Sequence, residues 1–259
     1  DHADILGDDP EAIAAEKAGI LKPRQTAVTV PQSEPVMAVL RAACDADGIP
    51  LLIVGQDLTA RVEHHGLDGL QASITGLRGI YESADLPLVG RHQADNAAAA
   101  VGALELVADT GRPYSLVERG LSRVEWPGRM EVVSEFPLVL MDGAHNPHAA
   151  AALVETLKEL CPTRRIHCLV GMSSDKSPEA FGMPLRGLAV SVTCTKSRHP
   201  RAFDALELAK RLSPYCADVH VMSDAVDAYT YLLNAISSDD VLVVTGSLFV
   251  VADARARVL

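Results

Sequence analysis

Five short apolar runs in the second half of the chain restrict its fold more than any other feature: residues 138–141, 166–170, 188–194, 219–222 and 241–245. Helical patterns separate them, starting near Pro147, Pro178, Ala202 and Asp224. Near-continuous Val/Leu strands alternating with helices predict a mostly parallel sheet covered on both faces. A strand with one wet face would instead alternate polar and apolar residues. Residues 126–259 are therefore expected to form an open α/β domain. Trp126-Pro127-Gly128 punctuates the chain just before it, which sets off residues 1–125 as a second unit.

That first unit reads as a helix opened by Asp8 or Asp9, Pro10 and Glu11 and closed by Gly19. A strand over 26–30 and a helix over 34–47, closed by Gly48, follow. Short alternating runs between 51 and 89 predict strands and hairpins, and helices are expected over 93–109 and 115–124.

The formal charge of −11 argues against a nucleic-acid partner, which needs a basic face. No stretch of about 18 apolar residues predicts a membrane span. Five scattered cysteines without a Cys-x-x-Cys pair fit reduced, buried thiols in a cytoplasmic protein. The first residues, Asp1-His2-Ala3-Asp4, lack both Met and a signal-peptide pattern, so the chain reads as a piece of a longer protein.

Three segments carry candidate chemistry. In open parallel sheets ligands bind beyond the carboxyl ends of the strands. Asp142-Gly143-Ala144-His145-Asn146-Pro147 lies there, where a buried strand runs into a helix N-terminus favourable to anions. On composition alone it is equally an ordinary capped turn. His92 and Asn96, four apart, open an Ala-rich helix on one face where they could meet a ligand, or are polar surface residues of an N-terminal turn. Arg129, in Pro127-Gly128-Arg129-Met130-Glu131, offers a planar fork for a phosphate, or is a surface linker charge.

Taken together with His2, Ile5-Leu6-Gly7 and Glu16-Lys17-Ala18-Gly19-Ile20-Leu21-Lys22-Pro23, and with Thr245-Gly246-Ser247-Leu248, these segments resemble the folylpolyglutamate synthase/dihydrofolate synthase branch of the Mur ligase superfamily, in that family's order. The resemblance implies part of a central ATP-binding domain over 1–125, lacking its N-terminal region, and a Rossmann-like C-terminal ligase domain over 126–259. It implies an ATP- and Mg2+-dependent ligase that phosphorylates a carboxylate to an acyl phosphate and joins it to glutamate. The acceptors are dihydropteroate or reduced folates, and the enzyme a cytoplasmic monomer.

By the same resemblance His2 and Lys17 hold the metal, Lys17 as a carbamate whose formation needs a site that favours the neutral amine. Asn96, Arg129 and Asp142 contact the nucleotide, His145 acts at the incoming glutamate or acyl phosphate, and Ser247 holds glutamate. Lys196, Arg198 and Arg201 are further candidates for its carboxylates. Two features depart from the family: no Gly-x-x-x-x-Gly-Lys-Ser/Thr phosphate loop occurs, and Asp9 stands where a Thr is expected. A Mur-type ligase acting on a muramoyl nucleotide shares all these roles. A non-catalytic nucleotide-binding module shares the architecture. So does a Rossmann-type oxidoreductase, though no Gly-x-Gly-x-x-Gly follows the first strand of the second half.

Overall fold

The structure is a computed structural model describing residues 9–107 and 114–256. The described residues up to Val124 form one compact unit, apart from Gly66–Asp68 and Leu88–Gly90. Those two short segments join Glu125 and the described residues after it in a second unit.

In the first unit Asp9 caps helix α1 (Pro10–Ala18), its carboxylate accepting from the Glu11 amide at 3.1 Å. Strand β1 (Ala27–Thr29) pairs in parallel with β2 (Leu51–Ile53). Helix α2 (Glu34–Asp47) connects them and ends on Gly48, whose φ of 63° is the left-handed conformation that stops a helix. Strands β3 (Thr59–Gly66), β4 (Gly69–Thr75) and β5 (Ile80–Leu86) form a three-stranded sheet in that order, with β4 and β5 antiparallel. Helix α3 (His92–Val107) is pinned near this sheet by the buried Glu105, which accepts from Tyr81 Oη at 2.9 Å and from the Leu77 amide. Helix α4 runs Tyr114–Leu121. The sequence-expected end of α3 at 109 lies outside the described residues.

The second unit is the expected α/β sheet. Its strands are β6 (Glu131–Glu135), β7 (Leu138–Met141), β8 (Ile166–Val170), β9 (Ala189–Lys196), β10 (Val219–Asp224) and β11 (Val241–Thr245). They lie in the order β10-β9-β8-β11-β7-β6, parallel throughout except for β6 against β7. Helices α5 (Pro147–Leu160), α6 (Pro178–Gly182), α7 (Ala205–Leu212), α8 (Ala225–Ala235) and α9 (Leu248–Arg255) complete it.

The apolar runs earn both covers. Leu138, Leu140, Cys168, Val241 and Val243 pack with Leu153 and Leu157 of α5, Phe181 of α6 and Leu208 of α7. Their neighbours Val139, Met141, Leu169, Leu242 and Val244 pack with Tyr229 and Leu232 of α8 and Val251 of α9. Each such side chain, fully buried, contributes about 1.5–3 kcal/mol, which is why a period-two pattern is missing from these strands. All five cysteines are free and buried. Burial pushes the Cys168 and Cys194 thiols up to about 12, so neither is a thiolate nucleophile near neutrality.

Three elements differ from the sequence reading. Antiparallel β6 was not expected, because Glu131-Val-Val-Ser-Glu135 lacks a clean period. Helix α9 was not expected either. Helix α7 begins at Ala205 rather than Ala202, because Asp204 caps it, accepting from the Leu206 and Glu207 amides, while Ala202 bridges to Ser173. Among the described residues no helix is long and apolar enough to cross a membrane.

Candidate active site

Strands β7, β11, β8 and β9 are mutually parallel, so the loops after them gather on one edge of the sheet. Backbone contacts knit that edge. The Gly171 amide donates to Thr245 O at 3.1 Å and the Gly246 amide to Ala144 O at 2.9 Å. Gly246 has φ 98°, and a Cβ there would stand 2.8 Å from Gly171 O, so a side chain is excluded twice over.

Asp142, buried at 8% exposure, ends β7. Its Oδ1 accepts from the Ala144 amide and its Oδ2 from the Met130 amide, both at 2.9 Å. The expected nucleotide contact is thus also a brace between the loop after β7 and the segment before β6. Asn146 caps α5 through the Ala149 amide at 2.8 Å. His145 Nδ1 lies 2.7 Å from Gly143 O. A carbonyl only accepts, so the proton sits on Nδ1 and Nε2 is the basic nitrogen of the neutral ring. Ser247 is buried and caps α9, its Oγ accepting from the Val250 amide at 3.2 Å.

Arg129 belongs to this unit. Its backbone is bracketed by Gly128 (φ 74°) and Met130 (φ 46°), and the Gly143 amide donates to Gly128 O at 2.8 Å. The Arg129 side chain is half-buried, and among the described residues no carboxylate pairs with it. Further along the edge, Lys176 pairs with Asp175 at 2.9 Å. Burial opposes the charge on Asp175, but Lys176 and Arg201 together outweigh it and hold the carboxyl below the usual range. Lys196, Arg198 and Arg201 are exposed, and His199 stacks on Phe249 with centroids 3.7 Å apart.

The remaining candidates lie in the first unit. Asn96 and His92 are exposed in the first turn of α3, joined through Gln93. Asn96 Nδ2 donates to Gln93 Oε1 at 3.0 Å, and Gln93 Nε2 lies 3.1 Å from His92 Nε2. Lys17 is exposed in the last turn of α1, not in the desolvating surroundings expected for a carbamylated lysine. His2 lies outside the described residues. So the structure brings together Arg129, Asp142, His145 and Ser247, all within the second unit. Sequence reasoning missed the ion pair between Glu131 and Arg255, whose 124-residue separation leaves no local signal.

The Mur ligase glutamate ligase domain family matches residues 128–248. A dihydrofolate synthase/folylpolyglutamate synthase of Bacillus subtilis is 30% identical over 99% of this chain and 60% of its own length. A Mycobacterium tuberculosis folylpolyglutamate synthase structure complexed with ADP and AMPPCP superposes with a TM-score of 0.89 at 30% identity, over 100% of this chain and 61% of that one. Escherichia coli FolC in complex with DHPP and ADP gives 0.87 at 27% identity, over 100% of this chain and 59% of that one. The chain thus spans about 60% of the length of the relatives it matches. Residues 128–248 thus match the Mur ligase glutamate ligase domain family, and nearly the whole chain is similar to folylpolyglutamate and dihydrofolate synthases.

Proposed function

We propose that the whole protein carrying this chain is an ATP-dependent ligase that adds L-glutamate to dihydropteroate, to reduced folates, or to both. One observation carries the reading of the site: the guanidinium of Arg129, without an ion pair among the described residues, stands on a turn hydrogen-bonded to the loop after β7. Relatives of known structure hold ADP, AMPPCP or DHPP. ATP, when bound, supplies the phosphoryl group that activates the pteridine carboxylate.

The chain's own residues do the rest. Arg129 takes phosphate oxygens through its planar fork, offsetting charge where two anions must meet. Asp142 holds the turn and the loop together and contacts the nucleotide. His145, with its proton on Nδ1, is suited to accept at Nε2 the proton that the glutamate ammonium must lose before it attacks. Ser247 holds a glutamate carboxylate by donating its hydroxyl hydrogen, since its oxygen is already a helix cap. Asn96, its amide oriented by Gln93, contacts the adenine.

Among the described residues no group of three or more His, Cys, Asp or Glu is placed to hold a metal ion. The place of magnesium in this reading rests on His2 and a carbamate on Lys17, with phosphate oxygens and water completing the usual oxygen shell. The reading extends to a cytoplasmic monomer with small-molecule partners only, in keeping with five free buried thiols and a net charge of −11.

Arg129→Ala tests the site. Losing a charge-assisted phosphate contact, about 1.5–3 kcal/mol, raises the KM for ATP roughly 10- to 100-fold in the whole protein, with the melting temperature unchanged. Wild-type ATP kinetics in that variant would remove Arg129 from the site.

A further inference from the structure

The turn that carries Arg129 is held more firmly than a linker needs. Gly128 and Met130 both have left-handed φ values, 74° and 46°, and Met130 is not a glycine. Such a conformation persists only where its surroundings enforce it. Four contacts do so: Gly143 N to Gly128 O, Asp142 Oδ2 on the Met130 amide, the burial of Met130, and Glu131 Oε2 accepting from the Gly128 amide at 2.9 Å.

The last contact has its own support. Arg255 Nε, at the end of α9, donates to Glu131 Oε1 at 3.0 Å and Oε2 at 3.1 Å. The pair is partly buried, with side chains 30% and 22% exposed. The same helix closes on the turn from another side, since a Cβ on Gly128 would stand 3.2 Å from both Leu248 and Val251. The Glu131 carboxylate thus fixes the residue before Arg129 while Arg255 fixes the carboxylate.

We infer that Glu131 and Arg255 are positioning residues: they lock the Gly128–Met130 turn so that the Arg129 guanidinium is presented in one orientation. The inference rests on the reading of Arg129 as a phosphate contact. Partial burial keeps the pair from the near-zero value of a fully exposed ion pair, and the hydrogen bond to the Gly128 amide gives it directionality. A guanidinium that must find its orientation after binding pays rotamer and backbone entropy that a preset one does not.

The test is ATP titration of the whole protein at saturating glutamate and pteridine acceptor. It compares wild type, Arg129→Ala, Glu131→Ala and the double variant, with Glu131→Gln as a form that keeps an acceptor for the Gly128 amide. Glu131→Ala is expected to raise the KM for ATP about fivefold, what one hydrogen bond is worth, with kcat within about twofold. Glu131→Gln recovers part of the loss. In the Arg129→Ala background the Glu131 change adds nothing, because the group it orients is gone. A role in stability alone would lower melting temperatures and leave the KM of folded enzyme unchanged. If Arg129→Ala raises the KM and neither Glu131 variant does, the positioning role is overturned. The same holds if Glu131→Ala adds its full effect in the double variant. If Arg129→Ala itself leaves the KM unchanged, the phosphate reading falls, and this inference with it.

Discussion

Replacing Asp142 with alanine lowers folding stability by about 3 kcal/mol and abolishes ligase activity in the whole protein. The carboxylate is buried, and its two oxygens satisfy the Met130 and Ala144 amides. Truncation leaves two buried N–H groups without acceptors, each costing about 1–3 kcal/mol. The loss does not stay local. Met130 in its left-handed conformation is released, so Arg129 is no longer held from its carboxyl side, and the loop carrying His145 loses its bond from the Ala144 amide. Asp142→Asn is expected to fall between: one carbonyl oxygen still accepts, but an NH2 now faces the second amide. Urea unfolding together with ATP kinetics separates the roles. An alanine variant of wild-type stability with weakened ATP binding would make Asp142 a ligand contact alone.

Asp240→Ala is the second large effect and has nothing to do with the site. Asp240 is 3% exposed, directly before β11. Arg165 donates to it twice at 2.9 Å, the Ser237 amide at 3.0 Å, and His167 Nε2 lies 3.3 Å away. Burial raises the carboxyl, the largest single influence. The Arg165 and Ser237 hydrogen bonds and the Arg165 charge, with His167 beside them, together outweigh it and leave it lowered. A carboxyl lowered by folding contributes stability above its unfolded value of about 3.9 and loses it as pH falls through the folded value. At neutral pH the alanine variant should therefore be less stable by about 3 kcal/mol, since the Ser237 amide and the Arg165 guanidinium lose their acceptor. The difference from wild type should shrink below about pH 4. Melting curves from pH 3 to 7 read this directly. A gap that stays constant through acid would mean that Asp240 acts by packing rather than charge.

Much of the second unit was legible because its strands are buried on both faces, which leaves runs such as Val241–Thr245 with no polar break. Turn chemistry in Asp142-Gly-Ala-His-Asn-Pro147 likewise announced a strand-to-helix junction, and both ends are found. What stayed hidden depends on partners distant in sequence. Edge strand β6 pairs only with β7, so one side of Glu131–Glu135 needs no apolar pattern. Helix α9 opens with Leu248-Phe-Val-Val251, an apolar stretch with two β-branched residues that carries no clear helical signal. The bond from Asp142 to Met130 exists only because β6 returns antiparallel along β7, and that from Glu131 to Arg255 only because α9 packs beside it. The metal side of the site is the least complete. Lys17 and His2 were legible only through family resemblance; the one is exposed, and the other lies outside the described residues.

The central claim, glutamate ligation to a pteridine, is tested most directly by ADP release from the whole protein. Glutamate would be the added amino acid, with dihydropteroate, tetrahydrofolate and a muramoyl nucleotide offered as alternative acceptors. ADP release that requires both glutamate and a pteridine substrate is the predicted result, and the acceptor used would show which activity the protein carries. Release with the muramoyl nucleotide alone, or none from a folded protein with any acceptor, would contradict it.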